Sequence, residues 1–175
     1  MSLINYIDDA VALPESAFFK LFYATPIHDA FELILPHGET SNNCYRSMFQ
    51  NCTTLKSAPE LPSMSVAINS YMDMFNSCTS LVEAPALPAT DISSNCYSGM
   101  FANCASLTQA PELPATTVPQ DGYNGMFQSC YSLVRAPALP ATDISSNCYN
   151  GMFAHCTSLT QAPALPATTM TSRCY

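Results

Sequence analysis

Residues Cys96 to Asp121 read CYSGMFANCASLTQAPELPATTVPQD, and most of the chain repeats this stretch. Copies of 26 residues follow one another without insertion and begin at Cys44, Ser70, Cys96, Gly122 and Cys148. A sixth copy begins at Cys174 and stops after Tyr175. Self-similarity at a fixed period of roughly 20 to 50 residues is typical of a solenoid. We therefore expect stacked coils, each of which contacts only its neighbours.

Apolar side chains within each copy recur at the spacing i, i+3, i+4 and i+7. In the third copy they are Tyr97, Met100, Phe101 and Cys104. This spacing forms one face of a helix, so the sequence predicts a short helix in every coil. Two helical turns are unstable alone, and we expect stacking to hold them. The same positions in the other copies are Tyr45, Met48, Phe49, Cys52; Tyr71, Met74, Phe75, Cys78; Tyr123, Met126, Phe127, Cys130; and Tyr149, Met152, Phe153, Cys156.

Two leucine columns and two proline columns follow the predicted helix in the motif Leu-x-x-Ala-Pro-x-Leu-Pro. We predict a short strand around the first leucine, for example Leu107, paired in parallel with the same residues of the next coil. Proline has no N–H to donate, so the sheet should be narrow and should end in an extended proline-rich segment. The polar stretch from Ala89 to Asn95 is predicted to turn the chain and to N-cap the next helix.

The run Met-Phe-x-x-Cys-x-Ser-Leu-x-x-Ala-Pro-x-Leu-Pro resembles the leucine-rich repeats of the BspA-like type, which occur in surface proteins of gut and oral bacteria and in some protist parasites. The resemblance covers residues 44–175 and, in a weaker form, 18–43. It implies an α/β solenoid, wound as a right-handed coil with a narrow parallel sheet on one face and short helices on the other. For function it implies protein binding and attachment at a cell surface, with no catalytic motif to carry over.

The two ends of the chain differ from the repeats. Residues 1–43 are predicted to form an N-terminal cap that includes one degenerate repeat, and His37 is predicted to begin a turn. Residues 1–17 contain no basic segment followed by a long apolar core, so no signal peptide is predicted. Nothing reaches the length of a membrane span. The last coil leaves two interpretations open: the chain is a fragment of a longer array, or residues 148–175 self-associate.

Composition limits the possible partners and cofactors. The net charge is −8, and the five basic residues are scattered, which argues against nucleic-acid binding. The nine cysteines fall into two columns with the spacing C-x7-C, unlike the closely spaced pairs of structural zinc sites. Eight helical rises of about 1.5 Å would place two such Cα atoms roughly 12 Å apart, beyond disulfide reach. We favour buried reduced thiols; disulfides along a column and metal binding remain as alternatives, and no cofactor is predicted.

No catalytic constellation is evident around His28, His37 or His155, so the chain is not predicted to be an enzyme. The positions after the first leucine column vary between copies and should lie on the sheet face. A binding surface would vary in this way, as would an unconstrained one. The candidate residues for a protein or glycan ligand are Lys56, Glu60, Glu83, Gln109, Glu112, Arg135 and Gln161. The alternative function is a structural spacer or assembly element of a surface appendage or a phage.

Overall fold

The structure, a computed structural model, describes residues 13–36 and 38–175. Expectations for residues 1–12 and for the turn at His37 lie outside them. The described chain is a solenoid in which equivalent residues of successive repeats lie side by side. Its strands are two residues long: β1 (Ser65–Val66), β2 (Asp91–Ile92), β3 (Thr117–Val118), β4 (Asp143–Ile144) and β5 (Thr169–Met170). The predicted parallel stacking with a 26-residue register is confirmed: β1 pairs with β2, and β4 pairs with both β3 and β5.

These strands occupy the stretch that the sequence predicted to be a turn. Ile92, Val118 and Ile144 point into the core, while their neighbours Asp91 and Asp143 are exposed. A β-branched residue facing inward and a polar residue facing outward make the ordinary alternation of a half-buried strand. The first half of the stretch predicted to be a turn is therefore a strand, and only its last residues, such as Asn95, belong to a turn.

The strand predicted around the first leucine is reduced to single-residue bridges. Glu83 bridges in parallel to Gln109, and Gln109 bridges to Arg135. A proline follows each bridge by two residues and has no N–H, so the pairing cannot extend in that direction. Parallel contact at this position is correct, but the main strand lies elsewhere in the coil.

None of the described residues is helical, so the predicted short helices are also wrong. Residues 95–104 instead form a run of overlapping four-residue turns. The Met100 N–H closes one of these turns by donating to the Tyr97 carbonyl at 3.2 Å. The intervening Phe101 N–H donates to the Met126 carbonyl of the next coil at 2.9 Å. Half of the amides therefore close turns, and the other half join coils.

The turns are produced by left-handed residues spaced four apart. In the third coil they are Asn95, Gly99 and Asn103, with φ of 58°, 62° and 62°. Glycine, asparagine and aspartate adopt this conformation most readily, and no α-helix can contain it. The polar residues expected to be N-caps are therefore turn residues. The corresponding positions are Asn43, Ser47, Asn51; Asn69, Asp73, Ser77; Asp121, Gly125, Ser129; and Asn147, Gly151, His155.

The buried residues of this segment follow a period of four. Cys96 and Tyr97, then Met100 and Phe101, then Cys104 are each at most 1% exposed. The spacing i, i+3, i+4, i+7 is contained in this pattern, which explains why the segment resembles a helix in sequence. Cys96 also fits a helical face, so the buried positions alone do not separate the two structures; the left-handed residues at every fourth position do.

Two columns of stacked aromatic rings run along the solenoid inside the turn segments. Adjacent rings have centroids 5.2–5.9 Å apart and interplanar angles of 3–20°. Each stacked pair contributes about 0.5–1.5 kcal/mol beyond the burial of its area. The degenerate first coil joins the columns, because Phe18 stacks on Tyr45 and Phe22 stacks on Phe49.

We expect Gly125→Ala to destabilise the protein by about 1 kcal/mol, because alanine is strained at a left-handed φ. The added methyl group would meet only Gln128 Oε1, at 3.5 Å, so the cost is conformational. In a helix the same change would stabilise by about 1 kcal/mol. The sign of the shift in the urea midpoint therefore decides between turn and helix. The reverse change, Asn103→Gly, should be neutral or stabilising; a loss of about 1 kcal/mol there would contradict the turn assignment.

Candidate binding surface

The seven candidate ligand-binding residues are all exposed. They lie on the side of the solenoid formed by the single-residue bridges and the proline-rich segments, which we call the variable face. Burial of the two leucine columns fixes this side, since Leu107 and Leu113 point inward and leave the residues around them outward. The residues on this face are Lys56, Glu60, Glu83, Gln109, Glu112, Arg135 and Gln161.

The structure brings three of the seven into one row. Glu83, Gln109 and Arg135 are joined by the parallel bridges and therefore occupy successive coils at one register position. A second row lies beside them, because the Val134 N–H donates to the Thr108 carbonyl at 3.3 Å. The variable face is thus a regular grid in which neighbouring coils present different side chains.

Shallow grooves separate the proline-rich segments of neighbouring coils. Groove A has a volume of about 440 Å³ and lies between residues 136–140 and 162–166. Groove B, of about 460 Å³, lies between residues 108–112 and 134–138. Because proline rings fix the backbone on the walls, these grooves are largely pre-formed.

The candidate residues are distributed unevenly among the grooves. Arg135 borders both groove A and groove B, with Gln161 in the first and Gln109 and Glu112 in the second. Glu60 lines a separate groove of about 290 Å³ between the first two full coils. The structure therefore gathers four of the seven candidates around the fourth full coil, with Arg135 at the centre.

Two further features of this surface were missed by the sequence analysis. Tyr131 is 49% exposed in the turn that leads into Val134 and Arg135. The signal was present, since the equivalent positions hold only Thr53, Thr79, Ala105 or Thr157, all small. The other omission is the role of the prolines and alanines as groove walls, which depends on how two neighbouring coils pack and cannot be read within one repeat.

The nine cysteines are all buried and free in the structure. One of the two cysteine columns has a member in every full coil: Cys52, Cys78, Cys104, Cys130 and Cys156. Each of its thiols donates to a phenylalanine carbonyl of the preceding coil. Cys78 Sγ donates to Phe49 O at 3.1 Å, and Cys104 Sγ donates to Phe75 O at 3.2 Å. Cysteine thus serves as a small apolar residue that also supplies a weak donor between coils.

Burial holds the thiols of Cys78, Cys104 and Cys130 in their protonated form. Desolvation, assisted by the neighbouring Cys156, raises the pKa of Cys130 to about 12, and desolvation also raises the pKa of Cys104 and Cys78. The thiolate is the form that attacks electrophiles and binds metals, so these cysteines are poor nucleophiles and poor ligands. Among residues 13–36 and 38–175, no group of three or more histidine, cysteine or acidic side chains is arranged to hold a metal ion.

The remaining candidate groups are dispersed. His28 and His155 are exposed and lie in different coils, and His155 occupies a left-handed turn position with φ of 63°. The part of the chain that the structure describes has no helix of the length and apolar character needed to cross a membrane.

Comparison with known proteins gives one structural likeness to report. No protein-family model matches the chain, and no curated protein matches it. The structure is similar to the crystal structure of a leucine-rich cell surface protein from Faecalibacterium prausnitzii, at 20% identity and a TM-score of 0.40. The alignment covers 81% of this chain and 44% of that one. This chain therefore spans less than half the length of that protein.

We expect the native protein to resist alkylation by iodoacetamide at neutral pH, because its thiols are buried away from the reagent. Mass spectrometry should find unmodified cysteines in the native state and nine labelled cysteines after denaturation in urea. Rapid labelling of Cys104 in the native protein would contradict the core placement of this column.

Stability should fall as the pH rises through the alkaline range. An unfolded thiol ionises near pH ~8.5, whereas folded Cys130 keeps its proton up to about 12, so the unfolded state loses protons first. The contribution of Cys130 to the free energy of unfolding is therefore constant below pH ~8.5 and declines above it. Urea titrations at increasing pH should show this decline, and Cys130→Ala should show a shallower one. An equal slope in the two proteins would argue against burial of Cys130.

Proposed function

We propose that this chain is a non-enzymatic binding module that engages a protein or glycan through its variable face. The observation that carries the proposal is the grid on that face, where leucines that are buried in the first four full coils hold exposed residues that change from coil to coil. Extended repeat surfaces of this kind are typical binding surfaces of solenoids. The regular backbone fixes the spacing of the side chains, and their identities set the specificity.

A cell-surface or secreted location is part of the same proposal. It is supported by the resemblance of the repeat to the BspA-like leucine-rich type, in which adhesion is the common role. The same resemblance supports a right-handed coil, a cap formed by residues 1–43 and a repeat array formed by residues 44–175. The negative charge and the scattered basic residues are consistent with a partner other than nucleic acid.

Hot-spot chemistry favours the fourth full coil as the centre of binding. Tyrosine and arginine are enriched among the residues that dominate binding energy, and Tyr131 and Arg135 are both exposed there. Val134, 48% exposed, adds apolar area between them. The alternative function, a spacer that assembles through residues 148–175, stays a prediction from the sequence.

The test is a set of four substitutions on the variable face: Glu83→Ala, Gln109→Ala, Arg135→Ala and Gln161→Ala, combined in one protein. We expect this variant to lose at least about tenfold in affinity for ligands that the native protein captures from an array of immobilised proteins and glycans. Its unfolding midpoint should change little, because exposed residues are replaced.

A matched control uses four exposed threonines on the strand side, one in each of the same coils: Thr90, Thr116, Thr142 and Thr168, each replaced by alanine. This control changes the same number of exposed side chains in consecutive coils but leaves the variable face intact. Capture should persist in the control. If both variants bind as the native protein does, or if only the threonine variant loses capture, the variable face is not the binding surface.

A further inference from the structure

Groove A differs from the rest of the variable face in the chemistry of its walls. Eleven residues line it, and nine of them are alanine, proline or leucine. The two polar side chains are Arg135 and Gln161. No acidic residue lines it, although the chain carries 13 acidic residues against five basic ones. Groove A is therefore an apolar groove with one positive charge on its border, in an otherwise acidic protein.

The guanidinium of Arg135 is available to a ligand. The residue is exposed, and its side chain takes part in no hydrogen bond or ion pair within residues 13–36 and 38–175. Of the five basic residues, Arg135 alone lines groove A or groove B. A planar guanidinium presents a fork of N–H donors that matches a carboxylate in two parallel hydrogen bonds.

A ligand carboxylate that pairs with Arg135 fits groove A better than groove B. Glu112 lines groove B together with Arg135, so a ligand carboxylate placed there would meet a like charge. In groove A the same guanidinium faces only apolar walls and the neutral amide of Gln161. The arrangement selects one of the two grooves that Arg135 borders.

The walls also discriminate between classes of ligand. Sugars are recognised through many hydrogen bonds and through stacking on aromatic rings, and groove A provides two polar side chains and no aromatic one. Proline and alanine walls instead suit the aliphatic side chains of an extended peptide, with a few polar groups to fix its orientation.

We propose that groove A binds an extended peptide segment of a protein partner, with an acidic side chain paired to Arg135 and apolar neighbours packed on the proline walls. This inference rests on the proposed binding function and specifies its ligand. The Gln161 amide can hydrogen-bond the peptide backbone.

The experiment uses fluorescent capped nonapeptides of proline and leucine with one central aspartate, together with matched peptides that carry asparagine instead. Binding is measured by fluorescence anisotropy on the full chain. We expect the aspartate peptides to bind at least about tenfold more tightly than the asparagine peptides, and this preference should weaken as salt is added. Arg135→Gln should abolish the preference, and Arg135→Lys should retain part of it.

Arg173→Gln is the matched control, because Arg173 is equally basic and exposed but lines neither groove. It should bind both peptides as the native protein does.

Equal binding of the two peptides, an absence of binding, or an unchanged preference in Arg135→Gln would each overturn the inference. Binding of oligogalacturonate through Arg135, without peptide binding, would overturn it as well but would leave the proposed function standing. The proposed function would be contradicted by a separate result, namely that the four-alanine variant still captures the ligands of the native protein.

Discussion

The structure depends on hydrogen bonds that join each coil to the next at a fixed offset. The N–H groups of Tyr97 and Phe101 both donate to carbonyls 25 residues later, those of Gly122 and Met126, at 3.1 and 2.9 Å. An inserted residue would break this register for every donor of the turn segment at once. The aromatic columns and the thiol columns obey the same constraint, since each stacks a residue on its equivalent in the next coil. The absence of insertions among the five full copies follows from this geometry.

The sequence predicted the features that depend on the repeat as a whole. The coil length, the parallel register and the buried columns of Tyr, Met, Phe, Cys and Leu follow from periodicity and hydrophobicity alone. The local backbone was harder, because a four-residue turn repeat and a 3.6-residue helix place apolar residues at nearly the same positions over nine residues. The recurrence of Asn, Gly, Asp and Ser every fourth residue, as at Asn95, Gly99 and Asn103, is the signal that separates them.

For the candidate surface too, some features could be predicted from the sequence and others could not. Exposure of Gln109, Arg135 and their equivalents could be predicted, since they flank a leucine column that must be buried. The grooves could not, because each one is made by two proline-rich segments that are 26 residues apart and meet only after stacking. Tyr131 could be predicted in part. The small residues at its equivalent positions mark it as unusual, but the sequence does not show how the turn that carries it is placed relative to Arg135.

The direction of the hydrogen bonds has a mechanical consequence. The bonds between coils run along the solenoid axis, so a force that pulls its two ends apart acts on the coils in series. The bonds would open one coil at a time, as in unzipping, and would not be sheared together. Each released coil of 26 residues supplies roughly 85–95 Å of extended chain. Under tension such a solenoid lengthens in discrete steps, and coils that have not yet opened retain their register and their grooves.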